Sequence, residues 1–230
     1  MEDRSHIVLV HGAGGGPWEW DIWARVLEAA GIRVHRPGLQ PAAPGLAATR
    51  LDDYRQQLAA AIARAGPAPV LVGASLGGRL AAECAERAAA LVLVNPLLPE
   101  RPAAGPGAAA IRAWRGRAAL AGTRRALPDA DAAAALHAFR RWRDESAAVL
   151  EEARATPFPP RPACPCLLVL SEADRDVAPA ATRALAADWA VETIALAGAS
   201  HVGPLLGREA AAVAARVLAW LDRGWTPAVG

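Results

Sequence analysis

The amino-acid sequence predicts an α/β fold, in which a mostly parallel β-sheet carries helices on both faces. Short, continuously apolar stretches such as Ile7–Val10 and Leu91–Val94 alternate along the chain with helical patterns. Strands that are covered on both faces by helices have this appearance. The 230 residues suffice for one well-buried domain with an inserted segment. Hydrophobic residues make up 53% and charged residues 21% of the chain, which is typical of a globular protein.

Six strands are predicted, with helices between them. The strands are expected at Ile7–Val10, Ile32–His35, Pro69–Ala74, Leu91–Val94, Leu167–Leu170 and Val191–Leu196. Helices are expected around Trp20–Leu27, Leu51–Ile62, after Ser75, at Pro179–Asp188 and at Arg208–Asp222. Thr49 followed by Asp52 three residues later resembles a capping box, so the second helix is expected to start there.

The alternation of strands and helices stops after the fourth strand. Prolines at 99, 102 and 106 open a segment that ends at prolines 157, 159, 160 and 162. We therefore predict a core formed by residues 1–98 and 163–230, and a helical cap at residues 99–162, called the inserted segment below. Two helical stretches are expected in it, around Ile111–Leu120 and Asp131–Arg154. Its arginines favour a solvated helix face over a cap that attracts anions; they include Arg112, Arg115, Arg117, Arg124, Arg125, Arg140, Arg141 and Arg143.

Charge and apolarity exclude several classes of partner. The formal net charge of +2 is too small to indicate nucleic-acid binding. The charged N-terminus lacks the apolar centre of a signal peptide, and the sequence has no run of eighteen apolar residues. These features predict a cytoplasmic protein with no membrane partner. The three cysteines are expected to be packing thiols.

The third strand ends in a short motif that can present a nucleophile. Gly73 and Gly77 flank Ser75 in the pattern Gly-x-Ser-x-Gly, directly between an apolar strand and a helical stretch. This order is typical of a nucleophile elbow, a strained turn that exposes a serine hydroxyl at its tip. Glycines are required beside Ser75 because side chains there would collide with the turn.

Two further polar residues follow later strands. An aspartate at 174 or 176 comes after the fifth predicted strand, and His201 comes after the sixth. The carboxyl ends of parallel strands meet at one edge of the sheet, where open α/β sheets bind ligands. A serine hydroxyl needs a base to become nucleophilic, and a carboxylate orients a histidine base. The sequence therefore predicts a serine–histidine–aspartate site at this edge.

From Ile7 to about Leu221 the chain resembles the α/β-hydrolase fold. The resemblance is carried by His11-Gly12-Ala13, the Gly73–Gly77 motif, the Asp174 loop and the loop Gly198-Ala199-Ser200-His201. The start His-Gly-Ala with Trp18 and Trp20 is similar to the methylesterase and hydroxynitrile lyase branch. The sequence departs from common members in lacking N-terminal antiparallel strands and in having Ser200, where glycine is frequent, before His201.

The resemblance assigns roles to these residues. It implies that Asp174, by its spacing before Val177, is the acid in preference to Asp176. Some members place the acid after the fourth strand, but Asn95 stands there and cannot carry a full charge. The backbone N–H groups of Ala13 and Leu76 would form the oxyanion hole. His11 would shape the loop that carries Ala13.

The sequence thus favours a serine hydrolase that cleaves a small carboxylic ester, thioester or lactone through an acyl-enzyme on Ser75. No metal or organic cofactor is implied. Two alternatives stay open: a lyase of the hydroxynitrile type, against which the absence of lysine counts, and a binding protein with an idle triad. A dinucleotide site at Gly12-x-Gly14 is disfavoured because position 17 is proline, not the third glycine of that fingerprint.

Overall fold

The computed structural model describes residues 6–100, 109–115 and 119–224. The predicted positions Pro102, Pro106 and Arg117 lie outside these ranges, as does the N-terminal stretch before His6. The strands are β1 (His6–Val10), β2 (Arg33–His35), β3 (Val70–Ala74), β4 (Ala90–Val94), β5 (Ile111–Arg112), β6 (Glu145–Ser146), β7 (Cys166–Ser171) and β8 (Glu192–Leu196). The helices are α1 (Asp21–Ala29), α2 (Leu51–Ala65), α3 (Leu76–Glu83), α4 (Leu120–Ala126), α5 (Ala132–Arg141), α6 (Ala147–Ala155), α7 (Pro179–Trp189), α8 (Gly203–Leu206) and α9 (Ala210–Gly224).

Six strands form one sheet in the order β2-β1-β3-β4-β7-β8, and every neighbouring pair is parallel. This confirms the predicted fold class. The carboxyl ends of all six strands therefore lie at one edge. The loops after β1, β3, β4, β7 and β8 begin there, and they carry the candidate site residues.

The core is formed on both faces of this sheet. Because side chains alternate along a strand, Ile7 and Leu9 of β1 pack on one face with α1 and α9, while Val8 and Val10 pack on the other with α2 and α3. The helices bring buried aromatic side chains to each layer, Trp20, Trp23 and Trp220 to the first and Tyr54 and Trp189 to the second. Since both faces are covered, the strands are apolar throughout.

The inserted segment differs from its prediction. Ile111–Arg112 is a strand that pairs antiparallel with Glu145–Ser146, and the expected helix at Asp131–Arg154 is divided into α5 and α6 by β6. The division follows from Glu145 and Ser146, which are buried and bond to residues of the core. Helical periodicity depends on neighbouring residues, so it does not reveal bonds to such distant partners.

The predicted start of α2 is also displaced by one residue. Arg50 is the N-cap, and its backbone N–H donates to Oδ2 of Asp53 at 2.7 Å. The hydroxyl of Thr49 instead accepts from the N–H of Ala42 and donates to the carbonyl of Gly45. Thr49 is thus used to close the preceding loop.

No helix in the described part of the chain combines the length and apolarity that a membrane crossing requires.

Candidate active site

Ser75 lies at the tip of a strained turn between β3 and α3. Its backbone has φ 51° and ψ −119°, a conformation that costs a residue with a side chain about 1–3 kcal/mol. The turn is held to the end of β4, since the N–H of Ser75 donates to Val94 and the N–H of Leu97 donates to the carbonyl of Ser75. Surrounding structure thus maintains a conformation that the serine would not adopt alone.

The glycines of the motif are required by close backbone contacts. A Cβ on Gly73 would lie 2.2 Å from the carbonyl oxygen of Gly77. A Cβ on Gly77 would lie 2.2 Å from the carbonyl oxygen of Val10 and 2.4 Å from that of His11. The elbow therefore packs backbone against backbone on the end of β1. A Cβ on Gly12, in the loop after β1, would lie 3.3 Å from Cβ of Ser75, which brings that loop beside the serine.

Replacing Gly77 by alanine is expected to destabilise the protein by about 3 kcal/mol or more, because neither carbonyl can move without disturbing the sheet. Urea unfolding monitored by circular dichroism measures this loss. Gly122→Ala is the control, since a Cβ at this position in α4 would meet only the guanidinium of Arg125 at 3.8 Å. Equal stability of the two variants would contradict the argument.

His201 and Asp174 form a hydrogen-bonded pair at the carboxyl edge. Nδ1 of His201 lies 2.7 Å from Oδ2 of Asp174, and the two side chains are 11% and 2% exposed. A carboxylate only accepts, so Nδ1 carries the proton and Nε2 is left as an acceptor in the neutral ring. Oδ1 of Asp174 accepts from the backbone N–H groups of Asp176 and Val177, which fixes the carboxylate. Asp176 thus supplies a backbone bond, and Asp174 is the residue that contacts the histidine.

Asp174 also changes the basicity of His201. Burial lowers the pKa of His201, but the hydrogen bond and charge of Asp174, together with the nearby acids Asp176 and Glu19, outweigh burial and raise the pKa above the usual 6.5. The ring is therefore a stronger base than a free histidine. Its Nε2 makes no hydrogen bond with the Ser75 hydroxyl, although both residues line one pocket; such bonds often shorten only when substrate binds.

Two residues that the sequence analysis did not assign support the loop of His201. Nδ2 of Asn95 donates to the backbone carbonyl of His201 at 2.7 Å and to Oγ of Ser171 at 2.9 Å. From the inserted segment, Asp129 accepts from the N–H of Ser200 at 3.0 Å and from its hydroxyl at 2.6 Å. The hydroxyl of Ser200, the departure from the family pattern, therefore makes a bond to Asp129 that glycine would lack.

We expect Asp129→Ala to lower kcat by about ten- to a hundredfold with little change in KM. The loop of His201 would lose two hydrogen bonds, and the imidazole ring would no longer be held in its alignment. Steady-state kinetics on a 4-nitrophenyl ester measure the change. Asp131→Ala is a matched control: Asp131 lies two residues away and caps α5 by accepting from Ala134. Its loss is expected to cost about 1 kcal/mol of stability. A similar kcat for both variants would refute the positioning role of Asp129.

The loop after β1 is held by His11. Nδ1 of His11 donates to the carbonyl of Gly12 at 2.8 Å, and Nε2 accepts from the N–H of Leu39 at 3.0 Å. Burial lowers the pKa of this ring to about 4, so it is neutral and cannot replace His201 as a base. In the described part of the chain, the N–H groups of Ala13 and Leu76 donate to no other protein group. Both are therefore available to an oxyanion beside Ser75.

The inserted segment holds the same loop from above. Oε2 of Glu145 accepts from the N–H of Gly14 at 3.0 Å, while Oε1 accepts from the hydroxyl of Tyr54 at 2.8 Å. Nε of Arg143 donates to the carbonyl of Gly15 at 2.7 Å, and its Nη1 donates to that of Leu39 at 3.1 Å. Arg143 was expected on a solvated helix face; it is half-buried between α5 and β6 and fixes the loop.

A pocket of about 380 Å³ opens beside Ser75. The core contributes Gly12, Ala13, Glu19, Ser75, Leu97, Asp176, Val177, His201 and Val202 to its lining. The inserted segment contributes Trp114, Ala119, Gly122, Thr123, Ala126, Trp142, Leu150 and Arg154. Leu76 is absent from this lining because its side chain is buried beneath the elbow, so that only its N–H is relevant. The walls are largely apolar, and their polar side chains come from Glu19, Ser75, Thr123, Arg154, Asp176 and His201.

Asp174, Asp176 and His201 bring three possible metal ligands within 4.8 Å of one another. The hydrogen bonds of this group favour proton transfer instead. Asp174 uses both carboxylate oxygens, one toward His201 and one toward two backbone N–H groups. The protonated Nδ1 of His201 is not a metal ligand in this arrangement.

Residues 7–216 match the model of the alpha/beta hydrolase family. The chain belongs to this family. Among curated relatives of this alpha/beta hydrolase, the probable esterase PIR7A of Oryza sativa subsp. indica is 42% identical over 96 residues, which cover 38% of the chain and 36% of the relative. The pyrethroid hydrolase of Sphingobium wenxiniae is 34% identical over 102 residues, covering 41% of the chain and 36% of the relative. The matched region thus covers about a third of the length of each of these relatives.

A solved structure extends the likeness over nearly the whole chain. The methylesterase MES16 from Arabidopsis superposes with a TM-score of 0.72 and covers 95% of this chain and 99% of its own. The two sequences are only 16% identical, so this likeness concerns the fold.

Proposed function

We propose that this alpha/beta hydrolase cleaves a small carboxylic ester, thioester or lactone through an acyl-enzyme on Ser75. The contact of 2.7 Å between Nδ1 of His201 and Oδ2 of Asp174, at a pocket that also contains Ser75, carries the proposal. It leaves Nε2 of His201 as the acceptor for a serine proton. The relatives that are named esterase and hydrolase support an ester as substrate.

In this mechanism His201 takes the proton of the Ser75 hydroxyl as Oγ attacks the ester carbonyl. The negative oxygen of the tetrahedral intermediate is bound by the N–H groups of Ala13 and Leu76, each worth about two to three orders of magnitude in rate. His201 then gives its proton to the departing alcohol. A water molecule, deprotonated by His201, then attacks the acyl carbonyl; as the bond to Oγ breaks, His201 returns the proton to Ser75 and the acid is released. Asp174 orients the ring and stabilises its charged form.

We further propose that the inserted segment is the cap of this site and selects the substrate. Trp114 and Trp142 offer flat apolar surfaces, while Ala119, Gly122 and Ala126 leave space beside them. An apolar acyl or alcohol group of modest size suits such a pocket. The proposed partner is therefore a small molecule, and a cytoplasmic location stays a prediction.

A fluorophosphonate probe tests the nucleophile. It should label the wild-type protein on the peptide that contains Ser75, as read by mass spectrometry, and should leave Ser75→Ala unlabelled. A panel of 4-nitrophenyl esters of increasing acyl length then tests turnover. Labelling without turnover would favour an idle binding protein, and cleavage of a cyanohydrin without ester turnover would favour a lyase; either would overturn the proposed hydrolysis.

A further inference from the structure

Glu19 is a buried acid that the proposed mechanism does not use. It belongs to a short 3-10 helix, Pro17–Trp20, and is 2% exposed. Its Oε2 accepts a hydrogen bond of 3.2 Å from the N–H of Gly12, which lines the pocket together with Ser75. A Cβ on Gly15 would lie 2.2–2.5 Å from the carboxyl group, so this carboxyl fills the inside of the loop after β1. Glu19 also lines the pocket together with Ser75 and His201.

The charged groups around Glu19 do not balance a negative charge there. His201 lines the same pocket, Arg143 comes from the inserted segment, and both favour the ionised form less than burial disfavours it. His11 is neutral, and the acids Asp174 and Asp176 lie close to His201. Within the described ranges Glu19 has no ion-pair partner within 4.0 Å. Burial consequently raises the pKa of Glu19 to about 8, despite the bond from Gly12.

We propose that Glu19 is a positioning residue: its uncharged carboxyl holds the oxyanion loop in place, and its ionisation at alkaline pH lowers catalysis. This inference rests on the proposed ester hydrolysis. The tetrahedral intermediate carries its negative charge beside Ala13, in the same loop that Glu19 fills. An ionised Glu19 would repel that charge, and because Glu19 is buried, water would screen the repulsion only poorly. The active form thus needs Glu19 protonated and His201 deprotonated.

The pH dependence of kcat/KM on a 4-nitrophenyl ester tests the proposal, with spontaneous hydrolysis subtracted. For the wild type we expect a bell shape, with a rise above pH 6.5 and a fall near pH 8 that exceeds about tenfold by pH 10. Glu19→Gln keeps an acceptor for Gly12 but cannot ionise, so the alkaline fall should disappear when each profile is scaled to its own maximum. Glu28→Gln, on the exposed side of α1, is the matched control and should keep the fall. A wild-type profile without the fall, or the same fall in Glu19→Gln, would overturn the proposal.

A second measurement does not depend on catalysis or on folding of the variant. Carbon-13 NMR of the wild type, with the Glu19 carboxyl assigned through its backbone, should show titration near pH 8. A midpoint near 4.5 would refute the proposal, whereas a protein that titrates as expected but cleaves no ester would refute the proposed function alone. Because the folded pKa is raised above 4.5, folding loses stability as the pH rises from 4.5 to 8. The Tm of Glu19→Gln should therefore fall less over this range than that of the wild type.

Discussion

Ser75→Ala is expected to lower kcat/KM on a 4-nitrophenyl ester by about four to six orders of magnitude, because no acyl-enzyme can form. The oxyanion donors and the pocket stay in place, so a residual rate above that of water should persist. Stopped-flow kinetics of the wild type should also show a burst of nitrophenol if release of the acid is slow, and this burst should be absent in the variant.

The strained backbone at Ser75 makes it possible to check that the variants at this position stay folded. Alanine retains a Cβ at φ 51°, so the Tm of Ser75→Ala should stay close to that of the wild type. Glycine adopts this conformation freely, and Ser75→Gly should be more stable than Ser75→Ala by about 1–3 kcal/mol. An alanine variant with wild-type turnover would exclude Ser75 as the nucleophile.

The second large effect is expected at Asp174. Asp174→Asn should lower kcat by about four orders of magnitude, because an amide in place of the carboxylate disturbs the tautomer and orientation of His201. The charge of Asp174 also raises the pKa of His201, which must be deprotonated to act. Removing that charge lowers the pKa, so the acidic limb of the residual kcat/KM profile should move to lower pH. Rate measurements from pH 4 to pH 8 check both effects.

Asp176→Asn distinguishes the effect of the direct hydrogen bond to His201 from the effect of a negative charge nearby. Asp176 also raises the pKa of His201, but only Asp174 bonds to the ring. We expect less than about a tenfold loss for Asp176→Asn, with a small shift of the acidic limb in the same direction. Equal losses in the two variants would mean that His201 relies on negative charge nearby and not on the specific contact with Asp174.

The features that the sequence predicted depend on residues close to one another in the chain. Apolar stretches such as Leu91–Val94 identify buried strands by themselves, and the fold class that they predicted is confirmed. The location of Ser75, Asp174 and His201 at one edge of the sheet could be predicted because the carboxyl ends of parallel strands lie at a common edge. Their proposed roles stay predictions, although the structure places Ser75 and His201 at one pocket and bonds Asp174 to His201.

The supporting residues depend instead on partners far away in the chain. Glu145 bonds to Gly14 across 131 positions, and Asp129 bonds to Ser200 across 71. Nothing local distinguishes these acids from solvated ones, which is also why Arg143 was misplaced on a helix face. Glu19 offered one signal, since it interrupts an apolar pattern between Trp18 and Trp20. Ser200 offered another, as a departure from the family pattern.

The contact between Asp129 and Ser200 restricts how this protein can be recombined with other members of its family. Exchanging the inserted segment for that of another member would remove Asp129, the acid that bonds to the loop of His201. A chimera would need either an acid at the position of Asp129 or the replacement of Ser200 by glycine. Positions 129 and 200 should therefore be inherited together, and a library that keeps this pair intact should yield more active chimeras than one that separates it.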